Sequence, residues 1–149
     1  MIKRFDWSRG ATWLLGILFT GLSLPVFAAA AQDNDATARK LDACVEKAAS
    51  TADSSACYAT ALAAYDRRMN HAYAALMRGL PAAVAHQLQA SQRIWLTFRD
   101  AELKTQSDML ATRQGTMYVP MEEEEQLSLT RDRARRLESY ERVLEIDGM

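Results

Sequence analysis

Apolar residues recur at steps of three and four along three long stretches of the chain. Tyr58, Leu62, Tyr65, Met69, Tyr73 and Leu76 fall on one such stripe, and Val84, Leu88, Ser91, Trp95 and Phe98 on a second. Leu127, Ala134, Leu137 and Leu144 carry the same rhythm towards the C-terminus. A period near 3.6 residues gathers these side chains on one helical face, which must then be covered. A shorter stretch from Ala38 to Ala49 is rich in alanine and sets Leu41 one turn from Val45. No segment alternates with period two over a strand's length, and no internal repeat is visible. The expected fold class is therefore all-α: a small helical bundle of three long helices plus one short N-terminal helix.

The breaks between these stretches have recognisable chemistry. Ser50 to Ser55 is a run of Ser, Thr, Asp and Ala that separates the short helix from the first long one, with Asp53 or Ser54 as the expected cap. Gly79 and Pro81 make a stop-and-start pair, through φ freedom at the glycine and a missing N–H that a first helical turn does not need. The helix opened by Pro81 is predicted to run to about Leu110. Ala111 to Val119 contain Gly115 and lose the period, which predicts a loop. Pro120 restarts the helix, Glu122, Glu123, Glu124 and Glu125 occupy its first turns, and Arg131, Arg133, Arg135, Arg136 and Arg142 crowd its later ones. Acid early and base late suits the helix macrodipole. The glutamate run has a second reading, as an acidic contact site for a basic partner.

The N-terminus follows a different logic. Lys3, Arg4 and Arg9 precede an apolar run from Ala11 to Phe27 that ends in the small residues Ala28 to Ala31. This order predicts a secretory signal over residues 1–30, cleaved after Ala28 or Ala30. An uncleaved anchor is the alternative, but Gly16, Gly21, Ser23 and Pro25 interrupt the run, which is marginal against the roughly 20 apolar residues that span a bilayer. Residues 31–37 are polar and aperiodic and read as a disordered leader, leaving 38–146 as one helical domain. Cleavage removes three basic residues and Asp6, so the net charge moves from −1 to −3. Such a chain has no general attraction for nucleic acid or anionic lipid, and no stable membrane insertion is expected after cleavage. Cys44 and Cys57 form an even count in an oxidising compartment and are expected to pair.

Few residues suggest catalysis or metal binding. His71 and His86 are the only histidines, lie on different predicted helices and lack a second ligand at metal spacing. There is no Gly-rich phosphate loop, serine-hydrolase elbow or CxxC, so the expectation is a protein that is not an enzyme and carries no cofactor. On the third helix Trp95 reads as a core aromatic, with an exposed ligand platform as the alternative. Gln92 and Arg99 project within about 20° of each other at the margin of its stripe. If partly buried they need partners, for which Asn70 on the second helix and Arg133, or its acidic neighbours, on the fourth are candidates. Asp100 points away, exposed or bound to Lys104.

These same residues carry a family resemblance. Cys57, Met69-Asn70-x-x-Tyr73, Ser91-Gln92-Arg93-x-Trp95, Phe98-Arg99-Asp100-Ala101 and Leu129-Thr130-x-x-Arg133-x-x-x-Leu137 follow one another in order. Together they resemble the LprI-like lysozyme-inhibitor family of small exported bacterial proteins, over Cys44 to about Tyr140. The resemblance implies an all-helical domain in the periplasm or envelope and, in at least one branch, inhibition of lysozyme. The function it implies here is a periplasmic inhibitor that acts by binding a basic lysozyme; the alternative is an envelope interaction or immunity-type binding protein without lysozyme affinity. Two departures stand out. Relatives usually have a cysteine where this chain has Leu103 and another where it has Glu125 or Gln126, which implies that those two pair with each other and that the loop from Lys104 to Met121 here lacks its covalent pin.

Overall fold

A computed structural model describes residues 35–113, 115 and 118–147. The expected signal segment, residues 1–30, lies outside the described residues. Among those described there are four helices and no strand: α1 (Ala36–Val45), α2 (Thr51–Gly79), α3 (Ala82–Ala111) and α4 (Tyr118–Asp147). None of them is long and apolar enough to cross a membrane.

Capping chemistry sets boundaries that differ from the expected ones. Asp35 accepts the Thr37 backbone N–H at 2.9 Å, so α1 begins at Ala36, and Asp35 to Thr37 belong to a capped helix rather than to a disordered leader. The helix ends at Val45, four residues earlier than its alanine content suggests, in a turn where Lys47 and Ala48 donate to Cys44 and Val45. Ser50 caps α2, where Asp53 or Ser54 was expected. Its Oγ accepts the Asp53 N–H at 3.2 Å and donates to the Asp53 carboxylate at 2.8 Å, which places Asp53 in the first turn, where a negative charge suits the dipole. Gly79 ends α2 without a left-handed φ. Its lack of a side chain matters for another reason: a Cβ there would lie 3.2 Å from Cδ1 of Leu144. Among the described residues the glycine with positive φ is Gly115, at 124° in the α3–α4 connection.

Cross-helix pairs fix the topology. Arg68 on α2 meets Glu138 on α4, and Gly79 faces Leu144, so α2 and α4 run parallel. Gln92 on α3 meets Arg133, and Gln106 meets Met121, so α3 returns antiparallel beside them. The core lies between α2 and α4. Ala61, Tyr65, Met69, Ala72 and Leu76 interlock there with Leu127, Ala134 and Leu137, and Leu88 joins from α3. The alternating steps of three and four on both helices let each side chain enter a gap on the other. Thr130 is also buried, its hydroxyl donating to the Gln126 carbonyl at 2.9 Å.

The helices at either side are bound differently. No residue of α1 is buried. It is held to α2 by the Cys44–Cys57 disulfide, with Cα atoms 5.8 Å apart, and by partly buried Leu41. On α3 the inward face includes Ala85, Leu88, Gln92, Trp95, Arg99, Gln106 and Leu110, while Val84 (42% exposed) and Phe98 (50%) turn outward. This corrects the expected stripe: α3 is rotated so that polar side chains face its neighbours in place of the more apolar residues beside them. Trp95 packs against the core as expected, but it is half-buried.

Candidate functional site

The rotation of α3 gathers a polar cluster around Trp95. Gln92 is oriented by Met69, whose sulfur accepts from its amide at 3.8 Å. This leaves the Gln92 carbonyl oxygen to accept from Arg133 Nε at 2.8 Å. Arg133 Nη2 also reaches Ser91 Oγ at 3.4 Å. The guanidiniums of Arg99 and Arg133 both lie over the indole of Trp95, with their carbons 5.3 and 5.7 Å from the ring centroid, an arrangement favoured by the ring's negative face. Burial, the largest influence on Arg133, pushes its pKa down, with Tyr140 acting upward and Arg136 downward. A half-buried cation held by neutral partners is the main electrostatic feature of this face.

The other residues nominated from the sequence sit at varying distances from this cluster. Asn70 is exposed and donates to Asp66 at 3.0 Å, so it does not bond Arg99. Asn70, Tyr73, Gln92 and Arg99 nonetheless line one shallow groove between α2 and α3. Arg99 takes the exposed Asp100 as its carboxylate partner, at 2.7 and 3.0 Å. Lys104 pairs with Asp108 instead of Asp100. His71 and His86 are exposed, and among the described residues no group of His, Cys, Asp and Glu is placed to hold a metal ion.

The glutamate run lies near the N-terminal end of α4, about two turns before Arg133. Because α4 starts at Tyr118, Glu122 is its fifth residue and the first turn contains no acid. The dipole account of the run is therefore weakened, since the effect falls off within the first turn. Nor is the run simply solvated: Glu122, Glu123 and Glu125 are half-buried, and Glu123 Oε2 is buried without a hydrogen-bond partner among the described residues. Glu124 lines a groove with Tyr58, Leu41 and Arg131. Burial first, then Glu124 and Glu123, raises the Tyr58 hydroxyl above its ordinary value. Nearby, Gln106 donates to the Met121 carbonyl at 3.2 Å. That bond closes the α3–α4 connection.

Sequence reasoning missed a second charged cluster, centred on Asp35. Its carboxylate accepts from Arg68 Nη1 at 2.6 and 2.7 Å, from the Tyr65 hydroxyl at 3.0 Å and from Arg135 at 3.3 Å. Arg68 also grips Glu138 through Nε and Nη2, at 2.6 and 2.8 Å. Burial would raise the Asp35 pKa; hydrogen bonds from Arg68, Thr37 and Tyr65 outweigh it and hold the carboxyl well below the usual carboxylate range. The side chain is 6% exposed, and every partner named here joins α1, α2 and α4 together. This is a structural knot. Asp35 stood alone in a polar stretch of the sequence, and only its capping chemistry signalled that it belonged to a helix.

Outside this knot, one face carries two guanidiniums on an indole and another carries half-buried glutamates. The family model described as lysozyme inhibitor LprI matches residues 29–137 of the chain. Among solved structures, the crystal structure of an uncharacterised protein from Burkholderia thailandensis is similar, with a TM-score of 0.68 and 27% sequence identity. The match covers 74% of this chain and 55% of that one, so the chain spans little more than half the length of that relative. No curated protein matches.

Proposed function

The chain belongs to the lysozyme inhibitor LprI family, and from that membership we propose that it is an exported, periplasmic protein that binds a basic lysozyme and blocks its cleft without chemistry of its own. The observation that carries this reading is the extent of the family match, which takes in α1, α2, α3 and most of α4. Charge adds support. The chain is net acidic, and Glu122 to Glu125 concentrate four carboxylates on one stretch of α4, which would steer a basic partner during approach.

The test is the clearing of a bacterial cell-wall suspension by lysozymes of several structural classes, with increasing amounts of purified protein. Inhibition of at least one class, saturating at a fixed molar ratio, is expected. Full lytic activity of every class at a large excess of the protein would sink the inhibitor reading.

The α3–α4 connection favours a second reading, a binding protein for another envelope or toxin partner. Leu103 and either Glu125 or Gln126 stand where relatives are expected to have cysteines, and a Gln106–Met121 hydrogen bond spans the connection in this chain. A surface held that way can differ in specificity from one pinned by a disulfide. Failure in the lytic assay, together with capture of one defined partner from periplasmic extract, would establish this second reading.

A further inference from the structure

Arg133 differs from the other buried or half-buried arginines around it. Arg68, Arg99, Arg131 and Arg135 each have a carboxylate within ion-pair distance. Among the described residues no carboxylate pairs with Arg133, whose hydrogen bonds go to Gln92 and Ser91 through Nε and Nη2. Those acceptors occupy one edge of the guanidinium. No described acceptor reaches Nη1, so the end-on edge formed by Nη1 and Nη2 keeps donors in the fork spacing that matches a carboxylate. Trp95 and Gln92 hold the group in place, which lowers the entropy lost when a ligand binds.

Beside this fork lies an apolar groove. Ser91, the hydrogen-bond partner of Arg133, and Tyr140, two turns further along α4, both line it. Its walls are formed by Leu76, Leu80, Val84 and Leu144, and it encloses about 440 Å³. Arg133 reaches this trough through its bond to Ser91 and is not part of its lining; an apolar trough with a charged group next to it has the make-up of a ligand site in which the charge fixes orientation. The missing counter-ion specifies the sign of what binds.

We propose that this face receives an acidic side chain flanked by apolar residues on a protein partner, its carboxylate on the Arg133 fork and its apolar neighbours in the groove. The protein nature of the occupant rests on the inhibitor reading; the carboxylate site does not. Specificity then comes from two sides of the molecule: glutamates that steer a basic partner, and an arginine that accepts one of its acids.

Trp95 provides the readout, because the other two tryptophans, Trp7 and Trp13, lie near the N-terminus and can be replaced by phenylalanine in the full chain. Its emission is titrated with 3-phenylpropionate and with the uncharged 3-phenylpropionamide. A saturable change is expected with the acid, and affinity for the amide should be at least about tenfold weaker. Arg133→Met should reduce the acid to the level of the amide. Arg133→Lys, which keeps the charge and loses the fork, should fall between, and it guards against misfolding of the methionine variant. Equal responses to acid and amide, or unchanged affinity in both variants, would overturn the site. Laurate binding more than about a hundredfold tighter than 3-phenylpropionate would assign the groove to lipid and overturn the protein occupant. A positive titration beside a negative lytic assay removes the inhibitor reading and keeps the carboxylate site.

Discussion

Arg68 holds Asp35 through a single guanidinium nitrogen, Nη1, at 2.6 and 2.7 Å across 33 residues of sequence. Its other two nitrogens grip Glu138, so one side chain ties the cap of α1 to both helices of the core. Replacing Asp35 by Asn leaves Arg68 and Arg135 near a neutral group. The expected loss at neutral pH is about 2–4 kcal/mol, a little under the range for a fully buried pair because Arg68 is 30% exposed. The sign of the pH dependence follows from the lowered Asp35 pKa. Its stabilisation is fully present above the unfolded value, near pH 4, and is lost as pH falls through the lower folded value. Urea titrations of parent and Asp35→Asn protein should therefore converge below about pH 4. A gap that stays constant to about pH 2 would rule this account out.

Half-burial changes what Trp95 is worth. The loss expected for Trp95→Ala is about 1.5–3 kcal/mol, below the 3–5 of a fully buried aromatic. Removing the ring also strips the support beneath Arg99 and Arg133, so the variant should bind a carboxylate probe more weakly by titration calorimetry even where it stays folded. A melting curve identical to the parent's would mean the ring contributes nothing to packing.

The Cys44–Cys57 bridge closes a separation of 13 residues, worth about 3 kcal/mol in the chain-entropy model. Because no residue of α1 is buried, reduction should loosen α1 and leave the α2–α4 core standing. Hydrogen exchange after reduction should rise over residues 36–45 first, and the unreduced protein should weigh two hydrogens less than the reduced. Uniform loss of protection over all four helices would show that α1 is integral to the core.

Neutralising Glu122 to Glu125 separates the two roles assigned to them. With the first turn of α4 free of acid, the four-fold Gln variant should change stability by less than about 1 kcal/mol. Association with a basic lysozyme should slow, and its salt dependence should weaken. An on-rate equal to the parent's at both low and high salt would confine these glutamates to local structure.

The helices and their number were legible in the sequence because long three-and-four patterns leave little choice of element. The pairing of Cys44 with Cys57 was legible too. The rotation of α3 was not: the stripes through Val84, Ser91 and Phe98 and through Ala85, Gln92 and Arg99 differ by one residue at three points. Hydrophobicity favours the first, yet α3 docks against a core already closed by α2 and α4, so little of its apolar surface is needed. The helical projection of Gln92 and Arg99 singles out both residues, and Arg133 as a neighbour of the set holds through its bond to Gln92, whereas Arg99 takes Asp100 and Asn70 takes Asp66, choices that periodicity does not specify. The Asp35 knot was invisible for a simpler reason. Its members come from three helices, and only the folded chain brings them together.

The parallel pairing of α2 with α4 also orders events in time. Tyr65, Met69 and Leu76 are only partly covered until Leu127, Ala134 and Leu137 arrive, and these lie in α4, a helix of 30 residues. A chain emerging from its N-terminus can form individual helices early, since those contacts are local, but it cannot close this interior until α4 has emerged. Any process that must thread this polypeptide through a narrow opening therefore meets a substrate that stays loose until α4 can pair with α2.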